Sequence, residues 1–306
     1  MKSRIKRTRD GLKPIKITQR DREILRALSS YHLLFTAQIH RLLFSSVGRA
    51  RKRLNQLWQH GLVKRIYKPV RLGEGSAAFL YALTRKAALL TDAEKAGNAK
   101  LKRATKISGQ YGEHLLRIND FRICLTLACR KDPGSAVRIW KQSKDFNLRV
   151  PVRTDRGYET VVIIPDGFFQ LKAGDRSYSF FLEIDRGTTD LTRIRAKISG
   201  YLTLWGDKAL KTKSGIESAF RVLFVTTGEK RRNNMLALME PLAKRHLRPD
   251  VIYFTDFSQY SLERPESLLD SIWWTVTKGG NPVKTGLIPS PIPSKLPTVP
   301  GIPPVP

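Results

Sequence analysis

Two apolar runs in this chain end in acids. Ile164-Pro165-Asp166-Gly167 closes one, and Phe180-Phe181-Leu182-Glu183-Ile184-Asp185-Arg186-Gly187 closes the next. Strand side chains alternate faces, so Glu183 and Asp185 should project from the same face. The turn-rich segment Lys172-Ala173-Gly174-Asp175-Arg176-Ser177 lies between the runs and predicts a hairpin. Such a hairpin would bring Asp166 to Glu183 and Asp185. Three carboxylates at one point repel unless a cation or a proton offsets them. Hard divalent cations such as Mg2+ are held by oxygen ligands of this kind. The expectation is a metal site of Asp166, Glu183 and Asp185, and metal-dependent chemistry on a polyanion.

The composition agrees with a polyanionic partner. The chain has 306 residues, a formal net charge of +30 and a pI near 10.5. Such a balance points to nucleic acid or an acidic membrane surface. The charge is uneven: residues 1–107 hold 26 Lys+Arg against 6 Asp+Glu. A length of 306 residues suggests about two domains, and 41% hydrophobic residues are enough for real cores. No segment reaches the ~20 apolar residues of a membrane span, and Met1 to Lys16 lacks the apolar stretch of a signal peptide. A soluble, cytoplasmic protein without a membrane partner is expected. Cys124 and Cys129 match neither a zinc knuckle nor a redox pair and read as buried free thiols on a helix. There is no His-x-His pair, so a histidine metal triad of the rolling-circle relaxase kind is missing, and there is no Gly-Lys-Ser/Thr phosphate loop, so ATP-driven unwinding is not expected.

The elements that must position these groups follow from local signals. Residues 1–16 form a basic arm, read either as a disordered tail or as a phosphate-contacting segment. Thr18-Gln19-Arg20-Asp21 fits a capping box ahead of Ile24, Leu25 and Leu28, so a helix is predicted over 19–30. Thr36 is expected to cap a second helix carrying Ile39, Leu42 and Leu43. Ser45 or Ser46 opens a third, with Val47, Ala50, Leu54, Leu57 and Trp58 at helical spacing. Gly61 is a C-terminal stop. Two strand-like runs follow, Leu62 to Tyr67 and Phe79 to Leu83, around a basic loop from Lys68 to Ser76. Three helices and a hairpin give a winged helix over residues 17–90. Its third helix would enter the major groove of double-stranded DNA and its loop would touch the backbone. The candidate DNA contacts are Arg49, Arg51, Lys52, Arg53, Lys64, Arg65, Lys68 and Arg71. The competing reading is a winged helix that binds protein through a solvated basic face.

Residues 91–107 read as a linker, and residues 108–278 as an α/β (α+β) domain with a mixed sheet. A long helix from Tyr111 to Arg130 opens it. Strands are predicted over 137–141, 159–164, 168–171, 178–184, 220–226 and 251–254, and helices over 189–205 and 230–246. Trp273 and Trp274 read as core closure. Residues 279–306 are proline-rich and almost uncharged, a disordered tail that could be the ligand of a protein partner.

The N-terminal pattern Thr18-x-x-Asp21-x-x-Ile24-Leu25, Gln38 to Phe44, Arg53-Leu54-x-x-Leu57, Gly61-Leu62-Val63 and Tyr81-x-Leu83-Thr84 resembles the replication-relaxation family. So do Pro165-Asp166, Leu182-Glu183-Ile184-Asp185-Arg186-Gly187-Thr188, Lys197 and Tyr201. The resemblance spans roughly residues 18–275. It implies a protein of bacterial plasmids or integrative mobile elements, linked to plasmid replication and DNA relaxation. The second half is also similar to the PD-(D/E)XK core of restriction endonucleases. There an acid before a turn and a Glu-x-Lys on the next strand hold Mg2+ and activate water. Asp166 matches the first acid and Glu183 the second, whereas Asp185 stands where the lysine should be. Lys197 is then the migrated lysine, sharing a helix face with Tyr201, and Glu113 stands in for an acid on the preceding helix. In this reading Asp166, Glu183, Asp185 and Lys197 are the catalytic set. In the alternative, Asp185 pairs with Arg186 or Arg193 and Glu183 only caps a sheet. Tyr201 is the tyrosine to watch as a nucleophile, against packing beside Lys197. Three functions follow: a DNA-binding replication or mobilisation factor with little or no catalysis, a Mg2+-dependent nicking endonuclease, or a transcriptional regulator whose degenerate nuclease-like second domain mediates sensing or dimerisation, a homodimer then meeting an operator of two half-sites.

Overall fold

The computed structural model describes residues 13–67, 79–89, 110–142, 145–155, 157–216, 219–246 and 248–288. It divides into two compact units, Met1–Pro133 with Tyr260–Glu266, and Gly134–Gln259 with Ser267–Pro306. No described helix is long and apolar enough to cross a membrane.

The first unit runs α1 (Gln19–Tyr31), β1 (Leu34–Phe35), α2 (Thr36–Leu43), α3 (Val47–Gln59), β2 (Val63–Tyr67), β3 (Phe79–Leu83), α4 (Arg85–Ala88) and α5 (Gln110–Lys131). The capping box forms as its sequence predicts. The Thr18 side chain accepts from the Asp21 N–H, and the Asp21 carboxylate accepts from the Thr18 N–H at 2.7 Å. Helix α2 differs: its N-cap is Phe35, whose N–H donates to Gln38 Oε1 at 2.8 Å, so Thr36 is its first helical residue. Ser46 is the N-cap of α3, which buries Ala50, Leu54 and Leu57. Gly61, at φ 73°, turns the chain into β2, a conformation that costs a residue without Cβ little. Strands β2 and β3 pair antiparallel from Val63↔Leu83 to Tyr67↔Phe79. Strand β1 adds to β3, giving the order β1-β3-β2. Two residues are too short to show alternation, which is why Leu34-Phe35 carried no strand signal. Helices and sheet share one core of Ile24, Leu25, Leu28, Ile39, Leu54, Leu57, Val63 and Tyr81. This is a winged helix. Residues 1–12 of the arm, the loop with Lys68 and Arg71, and the linker 91–107 lie outside the described residues.

The expected boundary at residue 108 shifts, because α5 packs with the winged helix. Asn119, 2% exposed, donates to the carbonyls of Tyr31 and Leu33 at 3.0 and 2.7 Å. Gln38 donates to Asp120 at 2.7 Å, and Arg130 donates to the Leu42 carbonyl at 2.8 Å. Buried amides and carbonyls must find partners, and those of α5 find them here. Cys124 and Cys129 are buried, and burial pushes the Cys124 thiol up to about 12.

Among its described residues the second unit holds a seven-stranded mixed sheet in the order β12-β11-β10-β9-β8-β7-β4. The strands are β4 (Ser135–Gln142), β7 (Gly167–Ala173), β8 (Arg176–Ile184), β9 (Phe220–Thr226), β10 (Ile252–Asp256), β11 (Trp273–Val276) and β12 (Pro282–Thr285). Strands β8, β9 and β10 are parallel neighbours, and the other pairings are antiparallel. A separate two-stranded ribbon joins β5 (Leu148–Thr154) to β6 (Gly157–Ile163). Among its described residues it also holds the α-helices α6 (Leu191–Gly206), α7 (Lys208–Lys213), α8 (Glu229–Ala237) and α9 (Met239–Ala243). The helix expected over 230–246 is thus two short ones, α8 and α9. The core unites Phe181, Val222, Phe224 and Phe254 of the sheet with Ile194, Ile198 and Tyr201 of α6, Met235 of α8, Leu242 of α9 and Val150 and Ile163 of the ribbon. A Cβ at Gly200 would stand 2.9 Å from Ile163 Cδ1, so the ribbon settles on α6 where that helix has no side chain. Trp273 closes the core as expected, its Nε1 donating to the Leu268 carbonyl at 2.9 Å. The tail expected from residue 279 begins later. Pro282–Thr285 forms an edge strand on β11, where proline at the first position removes no ladder bond, and Leu287 is buried. Residues 289–306 lie outside the described residues.

One ion pair ties α1 to α3. Asp21 is fully buried, and Arg53 grips it in a fork, Nε to Oδ1 at 2.7 Å and Nη2 to Oδ2. Arg53 also donates to the Lys16 carbonyl and to Gln56 Oε1, each at 2.9 Å. Burial would raise the Asp21 carboxyl, but its bonds from Arg53 and Thr18 outweigh burial and hold it below the ordinary value. Arg53→Met leaves that carboxylate buried without its partner and should cost about 3–5 kcal/mol in urea unfolding. A depressed carboxyl stabilises the fold above its unfolded value and loses that effect as pH falls below about 4. The wild type should therefore lose stability over that acid range more steeply than Arg53→Met. Equal unfolding midpoints would contradict the assignment.

Candidate functional site

The hairpin predicted from the turn-rich segment between the two acid-ended runs forms. β7 and β8 pair from Gly167↔Leu182 to Ala173↔Arg176, around a turn with Gly174 at φ 56°. Asp166 donates its N–H to the Leu182 carbonyl at 2.9 Å, and its Oδ2 accepts from the Ile184 N–H at 2.7 Å. The acid is thereby held against the end of β8. Glu183, 5% exposed, projects from β8 toward α6. Its Oε1 accepts from the Tyr201 hydroxyl at 2.5 Å, and its Oε2 is paired with Lys197 Nζ. Lys197 also donates to the Ile164 carbonyl at 3.3 Å. Lys197 and Tyr201 are one turn apart on α6 and share a face. Asp190 starts the helix, accepting from the Thr192 N–H.

The electrostatics follow from burial. Desolvation pushes the Glu183 carboxyl up to about 7; Lys197 opposes the rise and the charge of Asp166 adds to it. Tyr201 has no exposed surface, and burial, with the Glu183 charge, pushes its phenol well above the usual range. A buried phenol whose ionisation is opposed twice is unsuited to nucleophilic attack, so Tyr201 serves Glu183 instead. The site thus unites Asp166, Glu183, Lys197 and Tyr201.

Asp185 does not join them. Its Oδ2 accepts from the Thr226 hydroxyl at 2.6 Å and from Arg231 Nε at 3.0 Å. Arg231 Nη2 reaches the Thr189 carbonyl as well, tying α8 to the loop after β8. The expected three-carboxylate metal centre is therefore corrected: among the described residues no group of three or more His, Cys, Asp or Glu side chains is placed to hold a metal. The partner of Asp185 is Arg231, not Arg186 or Arg193. Nothing in the sequence marked Thr226 or Arg231, which lie 41 and 46 residues away. Asp166 and Glu183 remain as two carboxylates. That donor set suits Mg2+, which takes one or two protein carboxylates and completes its shell with water and substrate phosphate. Glu113, the expected stand-in acid, lies on α5 in the first unit.

The candidate DNA contacts also separate. Arg49, Arg51 and Lys52 are exposed on α3, and Lys64 is half-buried on β2. Arg53 is engaged with Asp21. Arg65 lies 4.1 Å from the Trp58 ring and 4.6 Å from the Phe79 ring, and its Nη2 donates to Asn55. These two arginines hold the winged helix together, because a guanidinium that finds a fork or a ring face in a half-dry setting stays there.

The chain matches the replication-relaxation family over residues 25–218. No curated protein matches it. Among solved structures, a mutant of E. coli MarR complexed with operator DNA is similar at 18% identity and a TM-score of 0.21, over 35% of this chain and 64% of that one. This chain thus spans just under two thirds of the MarR chain.

The Glu183 carboxyl sits at about 7 in the fold against 4.5 ordinarily. A carboxyl raised by folding contributes stability that is full below its unfolded value and lost as pH rises through the folded one. In metal-free buffer the urea midpoint of the wild type should fall, relative to Glu183→Gln, as pH rises from about 4.5 to about 7. A wild-type midpoint that rises relative to the variant over that interval would contradict the assignment.

Proposed function

This chain belongs to the replication-relaxation family, and on that premise we propose that it is a DNA-binding protein of a plasmid or integrative mobile element. It acts in replication, relaxation or mobilisation of that DNA. The observation that carries the reading is the division of labour on α3. That helix buries Ala50, Leu54 and Leu57 while presenting Arg49, Arg51 and Lys52 to solvent. In winged helices this third helix is the element that enters the major groove, and three outward cations there suit phosphate and base edges. A formal charge of +30 adds long-range attraction to a polyanion. Binding to duplex carrying the element's origin, titrated against salt, tests it. Arg51→Glu combined with Lys52→Glu should weaken binding and lower the salt slope by about 1 per lost phosphate contact. Unchanged affinity would remove the winged helix from the interface.

A second reading is favoured by the Lys197–Glu183 pair beside Asp166: Mg2+-dependent nicking of DNA. Asp166 and Glu183 are the carboxylates that would hold the ion, which when bound supplies an activated water and offsets charge on the scissile phosphate. Tyr201 fixes Glu183 from inside the domain. Lys197, 27% exposed, offers a cation to the phosphate. Supercoiled origin DNA should be nicked with Mg2+ and not with EDTA. Asp166→Asn, which can still accept from the Ile184 N–H, and Lys197→Ala should each slow nicking by about a hundredfold or more. Binding without nicking in every condition would leave the chain a non-catalytic factor.

A further inference from the structure

The β5–β6 ribbon presents a surface used by neither the winged helix nor the Asp166–Glu183–Lys197 site. Its inward side chains, Leu148, Val150, Val152 and Ile163, are buried in the core with α6. Its outward side chains form cross-strand pairs: Arg149 with Val162, Pro151 with Thr160 and Arg153 with Tyr158, all of them exposed. Tyr158 shows 75% of its surface and Val162 46%. Just beyond, Ile164 is 47% exposed, its carbonyl accepts from Lys197, and Asp166 follows two residues later. An exposed row of this kind costs hydration unless something covers it, and its composition indicates what. A bare aromatic ring beside a guanidinium matches a base and its phosphate, the ring stacking and the cation taking the backbone. The acid Glu159 belongs to the inward register, opposite Val152.

We propose that the outward face of the β5–β6 ribbon binds a single-stranded stretch of DNA, with Tyr158 stacking on a base and Arg149 and Arg153 holding phosphates. The ribbon then leads that strand toward Asp166. The proposal rests on the reading of the chain as a DNA-binding protein, but it uses a surface of the second unit rather than α3.

The test measures binding of the full chain to a labelled oligothymidylate and to a labelled duplex. Tyr158→Ala should weaken oligothymidylate binding about tenfold and leave duplex binding unchanged. Arg149→Glu with Arg153→Glu should weaken it further and lower its salt dependence. Because all three side chains are exposed, thermal unfolding of the variants should match the wild type. Four results would overturn the proposal. The first is wild-type protein that binds duplex and not oligothymidylate. The second is variants that bind oligothymidylate as the wild type does. The third is duplex affinity that falls in parallel with single-strand affinity, which would make the ribbon a duplex contact. The fourth is a dimer in sedimentation that Tyr158→Ala dissociates with oligothymidylate binding intact, which would make a second copy the occupant. Loss of duplex binding on substituting Arg51 and Lys52 tests the earlier reading separately, so the two can fail independently.

Discussion

A carboxylate buried in a sheet must be met by donors or surrender its charge, and Glu183 organises the second unit around that constraint. Its two oxygens take the Tyr201 hydroxyl and the Lys197 ammonium. Both donors come from one face of α6, so satisfying Glu183 sets the rotation of that helix against β8. Once α6 is turned this way, Ile194 and Ile198 fall on the sheet core and Gly200 meets the ribbon at Ile163. Asp166 is held by the backbone of the same strand, and its charge adds to the rise at Glu183. The result is a carboxyl poised near neutrality, flanked by an acid and a half-buried lysine. Such perturbed groups cluster at functional sites.

Asp185, two residues further on, meets the same requirement by another route. Arg231 and Thr226 neutralise and hydrogen-bond it, and the arginine also secures the loop that precedes α6. Two carboxylates of matching strand phase, Glu183 and Asp185, therefore perform different work. One is left near other titratable groups, and the other is consumed as a tie between β8 and α8.

The large positive charge divides in a similar way. Arg53, Arg65, Arg122, Arg231 and Arg232 are engaged by Asp21, by aromatic rings, by Ser30 and Tyr31, by Asp185 and by Asp256 respectively. They act as interior fasteners, a role suited to a planar fork of donors. Cations facing solvent, among them Arg49, Arg51 and Lys52 on α3 and Arg149 and Arg153 on the ribbon, are available to a polyanion. Formal charge alone overstates the binding surface.

The sequence by itself determined the elements whose signals are local: the capping box at Thr18 and Asp21, the stripe of Ala50, Leu54 and Leu57, the stop at Gly61 and the β7–β8 turn at Gly174. It also marked Asp166, Glu183 and Lys197, because a hairpin and one helical turn are short-range geometries. Caps, turns and periodicities act within a few residues, so spacing reveals them. Only the tertiary structure decided that α5 belongs with the winged helix, that β5 and β6 form their own ribbon, and that β12 extends the sheet past Pro282. It alone decided that Asp21 takes Arg53 and Asp185 takes Arg231, 32 and 46 residues away. An acid that will ligate a cation and an acid that will bind an arginine are chemically the same residue. Burial makes some partner obligatory, and packing between distant segments selects which one.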